Sequence, residues 1–440
     1  MNRRTSCLIL VALSLLAGTS TAAAAVAERG GATAPRAALG YELHVPAFSV
    51  ANENASANAV GCTTSGYCMA VGFFARSAAQ PTLALTWART TSGWHGGATV
   101  PLPVGAASTA TSSLTSVSCS SPGTCLAVGT YKAKTGSPSR ILVVRVLAGT
   151  VQRGVAINAP TGLKGPAVFA WCSATRSCEV AGTATNASGK GRLISFSASL
   201  GGSLVWHTTP VAQPYVAPSG LPSPNNGGSI SATDLVCVTA GNCLIVGAMH
   251  WTATSGTLAF TALQIGGAWQ RVRVSPLPGD AAARSNPEYG GALNSVSCAG
   301  TPGSFAASHC IAVGTYYSTA GPRQLEEKAT GGVIALGKEI TLPTEGVYLA
   351  TACRNTNLVC MATGYSEIEG EAGAGSAYSI GTSQGFTSVS MPPLVVGGGD
   401  PFDWLTGGAC LVGKNVCVST GQGVDNADND PIVVTFTSLP

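Results

Sequence analysis

The sequence predicts an all-β protein, a seven-bladed β-propeller with four-stranded blades, and three observations carry that prediction. Fourteen of the fifteen cysteines fall into seven close pairs: Cys62/Cys68, Cys119/Cys125, Cys172/Cys178, Cys237/Cys243, Cys298/Cys310, Cys353/Cys360 and Cys410/Cys417. Successive first cysteines lie 57, 53, 65, 61, 55 and 57 residues apart, a near-constant spacing that marks a repeat protein. The same text surrounds the pairs: Ser116-Val117-Ser118-Cys119 leads to Cys125-Leu126-Ala127-Val128-Gly129, and Ser295-Val296-Ser297-Cys298 leads to Cys310-Ile311-Ala312-Val313-Gly314. Finally, only 10% of the 440 residues are charged, against about 25% in an ordinary soluble domain. Sheets covered on both faces need little charge and need not alternate apolar with polar residues.

Each repeat reads as four strands. The first ends in the first cysteine, a Gly/Ser/Thr/Asn turn follows, and the second opens at the second cysteine. A third strand is read at Arg140 to Val146, and a fourth, opened by an aromatic and closed by proline, at Trp94 to Pro101, Trp206 to Pro210 and Trp269 to Pro276. Four-stranded units repeated around an axis make a propeller. After Cys417 the chain supplies a second strand and a third, Pro431 to Thr437, and then ends at Pro440. The segment from Tyr41 to Pro46 has the length and terminal proline of a fourth strand, so the N-terminal strand is expected to close the last blade and cover its edge.

The cysteines are expected to form disulfides within the hairpins, because a pair flanking a short turn sits across an antiparallel ladder. Zinc is the rival reading, but no histidine stands at ligand spacing. The N-terminus favours the oxidising choice. Met1-Asn2-Arg3-Arg4, an apolar run from Cys7 to Ala17 and the small residues ending Ala25-Val26-Ala27 form a secretory signal peptide over residues 1–27. A flexible segment over 28–40 and a single propeller domain over 41–440 complete the expected organisation. No later run is apolar enough to span a membrane, so a secreted, extracellular and monomeric protein is expected.

The Ser-Val-Ser-Cys…Cys-x-Ala-Val-Gly repeat resembles that of secreted, functionally uncharacterised propeller-like proteins common in actinobacteria. The resemblance covers nearly all of residues 41–440 and implies the fold and export, with no catalytic residue to carry over. The repeats lack the Gly-His…Trp-Asp pattern of WD40 blades and the Ser-x-Asp-x-Gly-x-x-Trp box of sialidase-like blades.

Function is expected on the face opposite the disulfide hairpins, where the longest connections, around 210–233, 277–294 and 393–406, emerge. Loops on a rigid scaffold commonly carry binding residues. The candidates for ligand binding are Tyr215, Glu288, Tyr289, Asp400, Asp403 and Trp404, with Trp404 suited to stacking on a sugar. The formal charge of +4, without a Lys/Arg cluster, speaks against nucleic acid. It conceals an asymmetry. From residue 367 onward there are eight carboxylates and one base, Lys414, whereas residues 28–366 carry 20 bases and 11 acids. No cofactor is required by any motif, but Asp425, Asp428 and Asp430 offer oxygen ligands for calcium in a stretch without the glycine and distal glutamate of an EF-hand. His44, His95, His207, His250 and His309 are scattered among the repeats, and no Gly-x-Ser-x-Gly elbow occurs. The residues thus point to an exported binding module for a carbohydrate, a cell-wall or cell-surface polymer, or a protein. The alternatives are a carbohydrate-active enzyme using Asp400 and Asp403, and a structural surface protein.

Overall fold

Every regular element described by the computed structural model is a β-strand. The structure describes residues 36–37, 41–45, 54–75, 82–90, 93–202, 204–206, 229–250, 257–282, 290–300, 308–330, 333–335, 337–340, 346–354, 359–367, 374–382, 385–390, 402–411, 414, 416–425 and 428–437. Residues 1–27, the expected signal peptide, lie outside them. Among the described residues no helix is long and apolar enough to cross a membrane.

Repeats are numbered here by their cysteine pairs. Their first strands are Asn54–Cys62, Thr111–Ser121, Leu163–Cys172, Ser229–Thr239, Gly291–Gly300, Gly346–Cys353 and Phe402–Cys410. In all seven the two cysteines are bonded across the hairpin made by the first and second strands, with Cα atoms 3.9–4.1 Å apart. Six sheets result, arranged as a β-propeller. Repeats 2 to 6 each form a sheet of their own, while repeats 7 and 1 share a ten-stranded sheet through a single parallel bridge, Asn54 to Asn429.

The hairpins differ from the sequence reading in where the second strand begins. The second strand does not always open at the second cysteine: in repeat 4 it opens at Asn242, one residue before Cys243, because Thr239 and Asn242 still pair beyond the Cys237–Cys243 disulfide. The second cysteines are also interior groups, since Cys68, Cys125, Cys178, Cys243, Cys310, Cys360 and Cys417 are all buried. Cys243 has no exposed surface and packs in one core layer with Leu193 of repeat 3 and with Ile245 and Phe260 of its own repeat. Each disulfide is therefore anchored in the core through its second cysteine, while Cys62, Cys119, Cys298, Cys353 and Cys410 are partly exposed.

The repeated glycine follows from a bulge. In six repeats one extra residue, four before the first cysteine, interrupts the ladder: Asn58, Thr115, Thr233, Asn294, Leu349 and Thr406. Repeat 3 instead shifts register between Lys164 and Ala167. Either way the first strand is driven onto the second at its glycine. A Cβ at Gly72, Gly129, Gly182, Gly247, Gly314, Gly364 or Gly421 would sit only 1.7–2.1 Å from a first-strand carbonyl oxygen, so no other residue fits there.

Second strands are buried on both faces, as the low charge implied. Leu126 and Val128 pack with Val168 and Cys178 of repeat 3, while Cys125 and Ala127 pack with Met69 and Val71 of repeat 1. The core is therefore a series of layers between neighbouring sheets.

The fourth strand differs from the expected continuous one. In repeats 1, 2, 4 and 5 it is two short pieces on the same third strand, for example Gly93–Trp94 and Ala98–Thr99 against Leu83–Thr90. The break comes where the backbone turns to the preceding repeat: the Gly154 amide donates to the Pro101 carbonyl at 2.8 Å, and Gly337 to Pro276 at 3.0 Å.

The N-terminal segment repeats this pattern. Arg36–Ala37 and Tyr41–Glu42 both pair with the last strand, Asp428–Thr437, in registers Arg36 to Thr437 and Tyr41 to Val433. Pairing thus begins before residue 41. On the other side the Gly97 amide and the Trp87 indole donate to the His44 carbonyl, at 2.8 and 2.9 Å. Gly97 stands to His44 as Gly154 stands to Pro101. Leu43, buried, shares a core layer with Trp87 of repeat 1 and Val433 of repeat 7. The N-terminal strand is seated between the last repeat and the first.

Candidate functional site

The first strands converge on an axial cavity of about 210 Å³, lined by residues of all seven. Side chains here mostly bind backbone of the next repeat. From the bulges, Asn58 Nδ2 donates to the Leu114 carbonyl at 2.8 Å, Thr233 Oγ1 to Leu293 at 2.6 Å and Asn294 Nδ2 to Tyr348 at 2.8 Å. Thr406 Oγ1 reaches the Ala57 carbonyl at 3.4 Å, joining repeat 7 to repeat 1.

The serines of the repeated motif do the complementary work. Ser116 and Ser118 accept from the amides of Ala170 and Cys172 at 3.1 and 2.9 Å, and Ser295 and Ser297 accept from Thr351 and Cys353 at the same distances. Sequence reasoning marked these serines only as text. Their regular offset before the cysteine was the signal that they serve an interface.

In repeat 4 the position of Ser116 and Ser295 is taken by Asp234. Its Oδ2 accepts from the Ser295 hydroxyl at 2.7 Å and the Val296 amide at 2.9 Å, and its Oδ1 from the Leu235 amide at 2.7 Å. Burial pushes its carboxyl up to about 6, and those three hydrogen bonds limit the rise. Among the described residues lining the cavity, no other side chain is ionisable.

The end of the first strands away from the disulfides carries Trp404, 37% exposed. It stands edge-on to Tyr365 of repeat 6, with ring centroids 6.4 Å apart and planes at 63°. Two residues further along the same strand Thr406 lines the cavity, so the aromatic pair lies beyond the cavity on the side opposite the disulfides. Such edge-to-face pairs contribute roughly 0.5–1.5 kcal/mol beyond the area they bury.

The expected site residues divide as follows. Tyr215, Glu288, Tyr289 and Asp400 lie outside the described residues. Asp403 and Trp404, expected in a connection, belong to the strand Phe402–Cys410, opposite Gly423 and Gln422. Pairing reaches further than their polarity suggested because the second strand of repeat 7 runs to Asp425. Asp425 and Asp428 are partners across the hairpin that joins the second and third strands, and Asp430 lies opposite Gly423. Among the described residues no group of three or more His, Cys, Asp or Glu side chains is placed to hold a metal ion.

No protein-family model and no curated protein matches the chain. Among solved structures it is similar to the BP39L lectin from Burkholderia pseudomallei, at 13% identity and a TM-score of 0.47, over 90% of this chain and 96% of that one. It is also similar to Trypanosoma rangeli sialidase in complex with the inhibitor DANA, at 8% identity and a TM-score of 0.45, and to Hadza microbial sialidase Hz136, at 10% and 0.43. The match covers 89% and 87% of this chain, but only 57% and 65% of those two sialidases.

Proposed function

We propose that the protein is an exported, seven-bladed propeller that binds an extracellular glycan, a cell-surface or cell-wall polymer among them, on the face opposite its disulfides. In this reading the ten-stranded sheet is two blades, those of repeats 7 and 1, touching at one bridge. The two-piece N-terminal strand completes the seventh blade. Seven hairpin disulfides suit an oxidising, extracellular setting.

The observation that carries the glycan reading is Trp404, exposed and braced by Tyr365 beyond the axial cavity. A partly exposed indole offers an apolar face and one N–H donor, which matches the C–H face and hydroxyl rim of a pyranose. Polar groups at the cavity itself are largely committed to neighbouring repeats, so recognition falls to the face beyond it.

The test is a glycan array followed by fluorescence titration with the best oligosaccharide, for the wild-type chain and Trp404→Ala. The reading predicts saturable binding without turnover, and at least tenfold weaker binding by the variant with an unchanged melting temperature. Binding indifferent to Trp404→Ala would overturn it. Hydrolysis abolished by Asp403→Asn would favour a carbohydrate-active enzyme, and capture of a protein with no glycan bound would favour a protein partner.

A further inference from the structure

The axial cavity contains an internal comparison. Repeats 2, 4 and 5 each place one side chain three residues before the first cysteine, where it accepts a hydrogen bond from the first strand of the next repeat: Ser116 from Ala170, Asp234 from Val296 and Ser295 from Thr351. Two of the three make this latch with a hydroxyl. A hydroxyl does so without bringing a charge into the cavity, whereas a partly buried carboxylate there gains when a positive charge answers it. The latch alone therefore leaves the carboxylate of Asp234 unaccounted for.

Among the described residues lining the cavity no charge answers it. The other lining groups are hydroxyls, carboxamides and apolar side chains, with no Lys, Arg or His among the described residues. Three hydrogen bonds occupy Asp234, while a carboxylate offers about four lone-pair directions, so accepting capacity remains on a residue that lines the cavity. The space, about 210 Å³, admits a small ion with part of its water.

We propose that the axial cavity is a cation site, in which Asp234 holds a small, partly hydrated monovalent metal ion, with neighbouring hydroxyl and carboxamide oxygens completing its surroundings. One carboxylate balances one positive charge, so a monovalent ion leaves the cavity neutral and a divalent ion does not. Because Asp234 joins repeat 4 to repeat 5 through Ser295 and Val296, the ion stabilises the folded ring. The site is separate from the Trp404 surface, and either can fail without the other.

The test compares wild type with Asp234→Ser, which restores the hydroxyl latch of repeats 2 and 5. Thermal unfolding is followed at pH 7.5 and constant ionic strength while bulky N-methylglucamine chloride is replaced by NaCl or KCl. A site occupied only in the folded state predicts a wild-type midpoint that rises by about 2 °C per tenfold increase in the bound ion, once above its dissociation constant. Asp234→Ser should show no such rise. The rise should also fade below about pH 6, as the Asp234 carboxyl takes up its proton. Crystals of the wild type soaked in RbCl should show anomalous scattering beside Asp234, a result that does not depend on the variant folding. Midpoints identical in all salts, a response that persists in Asp234→Ser, a response to CaCl2 or MgCl2 alone, or no rubidium peak would each overturn the proposal.

Discussion

Glu327 gives the sharpest prediction about stability. It lies on the third strand of repeat 5, Gly321–Thr330, is 2% exposed, and borders a small void lined by Leu244, Val246 and Thr261 of repeat 4. Neither carboxyl oxygen forms a well-oriented hydrogen bond. Burial pushes the group up to about 8 from 4.5, with the Ser275 hydroxyl opposing the rise. The other charged group at the void, Lys328, pairs with Glu326 at 3.3 Å. Because the folded pKa is raised, the folded state keeps a proton that the unfolded chain releases above pH 4.5, so stability falls as pH rises from 4.5 to about 8. At ~1.4 kcal/mol per unit the whole effect is at most about 5 kcal/mol, and about 2 kcal/mol of it falls between pH 6.5 and 8. Asp234 has the same sign, but its window closes near pH 6. Equilibrium urea denaturation at pH 6.5, 7.5 and 8.5, with disulfides intact, isolates Glu327. The wild type should lose about 2 kcal/mol across this range and Glu327→Gln should lose little of it. Parallel profiles for the two proteins would refute the reasoning.

Other consequences of the fold are testable in the same assay. Gly129→Ala, which puts a Cβ about where the Ser113 carbonyl stands, should cost more than about 4 kcal/mol or prevent folding. Gly279→Ala, which meets nothing within 4 Å, should be nearly neutral. Ser116→Ala and Ser118→Ala, which leave the amides of Ala170 and Cys172 without their acceptors, should each cost about 1–3 kcal/mol. Opening the Cys62–Cys68 pair by a double Ser substitution should cost roughly 2 kcal/mol, as expected for a loop of that size.

Much of the scaffold was legible because the cysteines fix register. A disulfide between directly opposed residues leaves one way to pair the first two strands of each repeat, and the downstream glycine marks where the bulge presses the strands together. The length and terminal proline of Tyr41 to Pro46 marked a strand, and Tyr41–Glu42 does pair with the last strand. What escaped was whatever depends on the neighbouring repeat. The two-piece fourth strand arises from Gly97, Gly154 and Gly337 donating to the previous repeat, a contact invisible in local hydropathy. Asp234 carries no local pattern that sets it apart; its equivalence to Ser116 and Ser295 lies in the cavity that all three line. Trp404 stood out as an aromatic beside acids in an expected loop, but it lies on a strand, paired with Gln422, a pairing that its acidic surroundings concealed.

Closure of the ring by the N-terminal strand is the central claim, and a cross-link tests it most directly. Arg36 and Thr437 are register partners at opposite ends of the chain. In Arg36→Cys/Thr437→Cys, oxidised and mapped by mass spectrometry, the account predicts an intramolecular peptide joining residue 36 to residue 437 in the monomer, beside the seven native pairs. Two free thiols, or disulfide-linked dimers in their place, would contradict it.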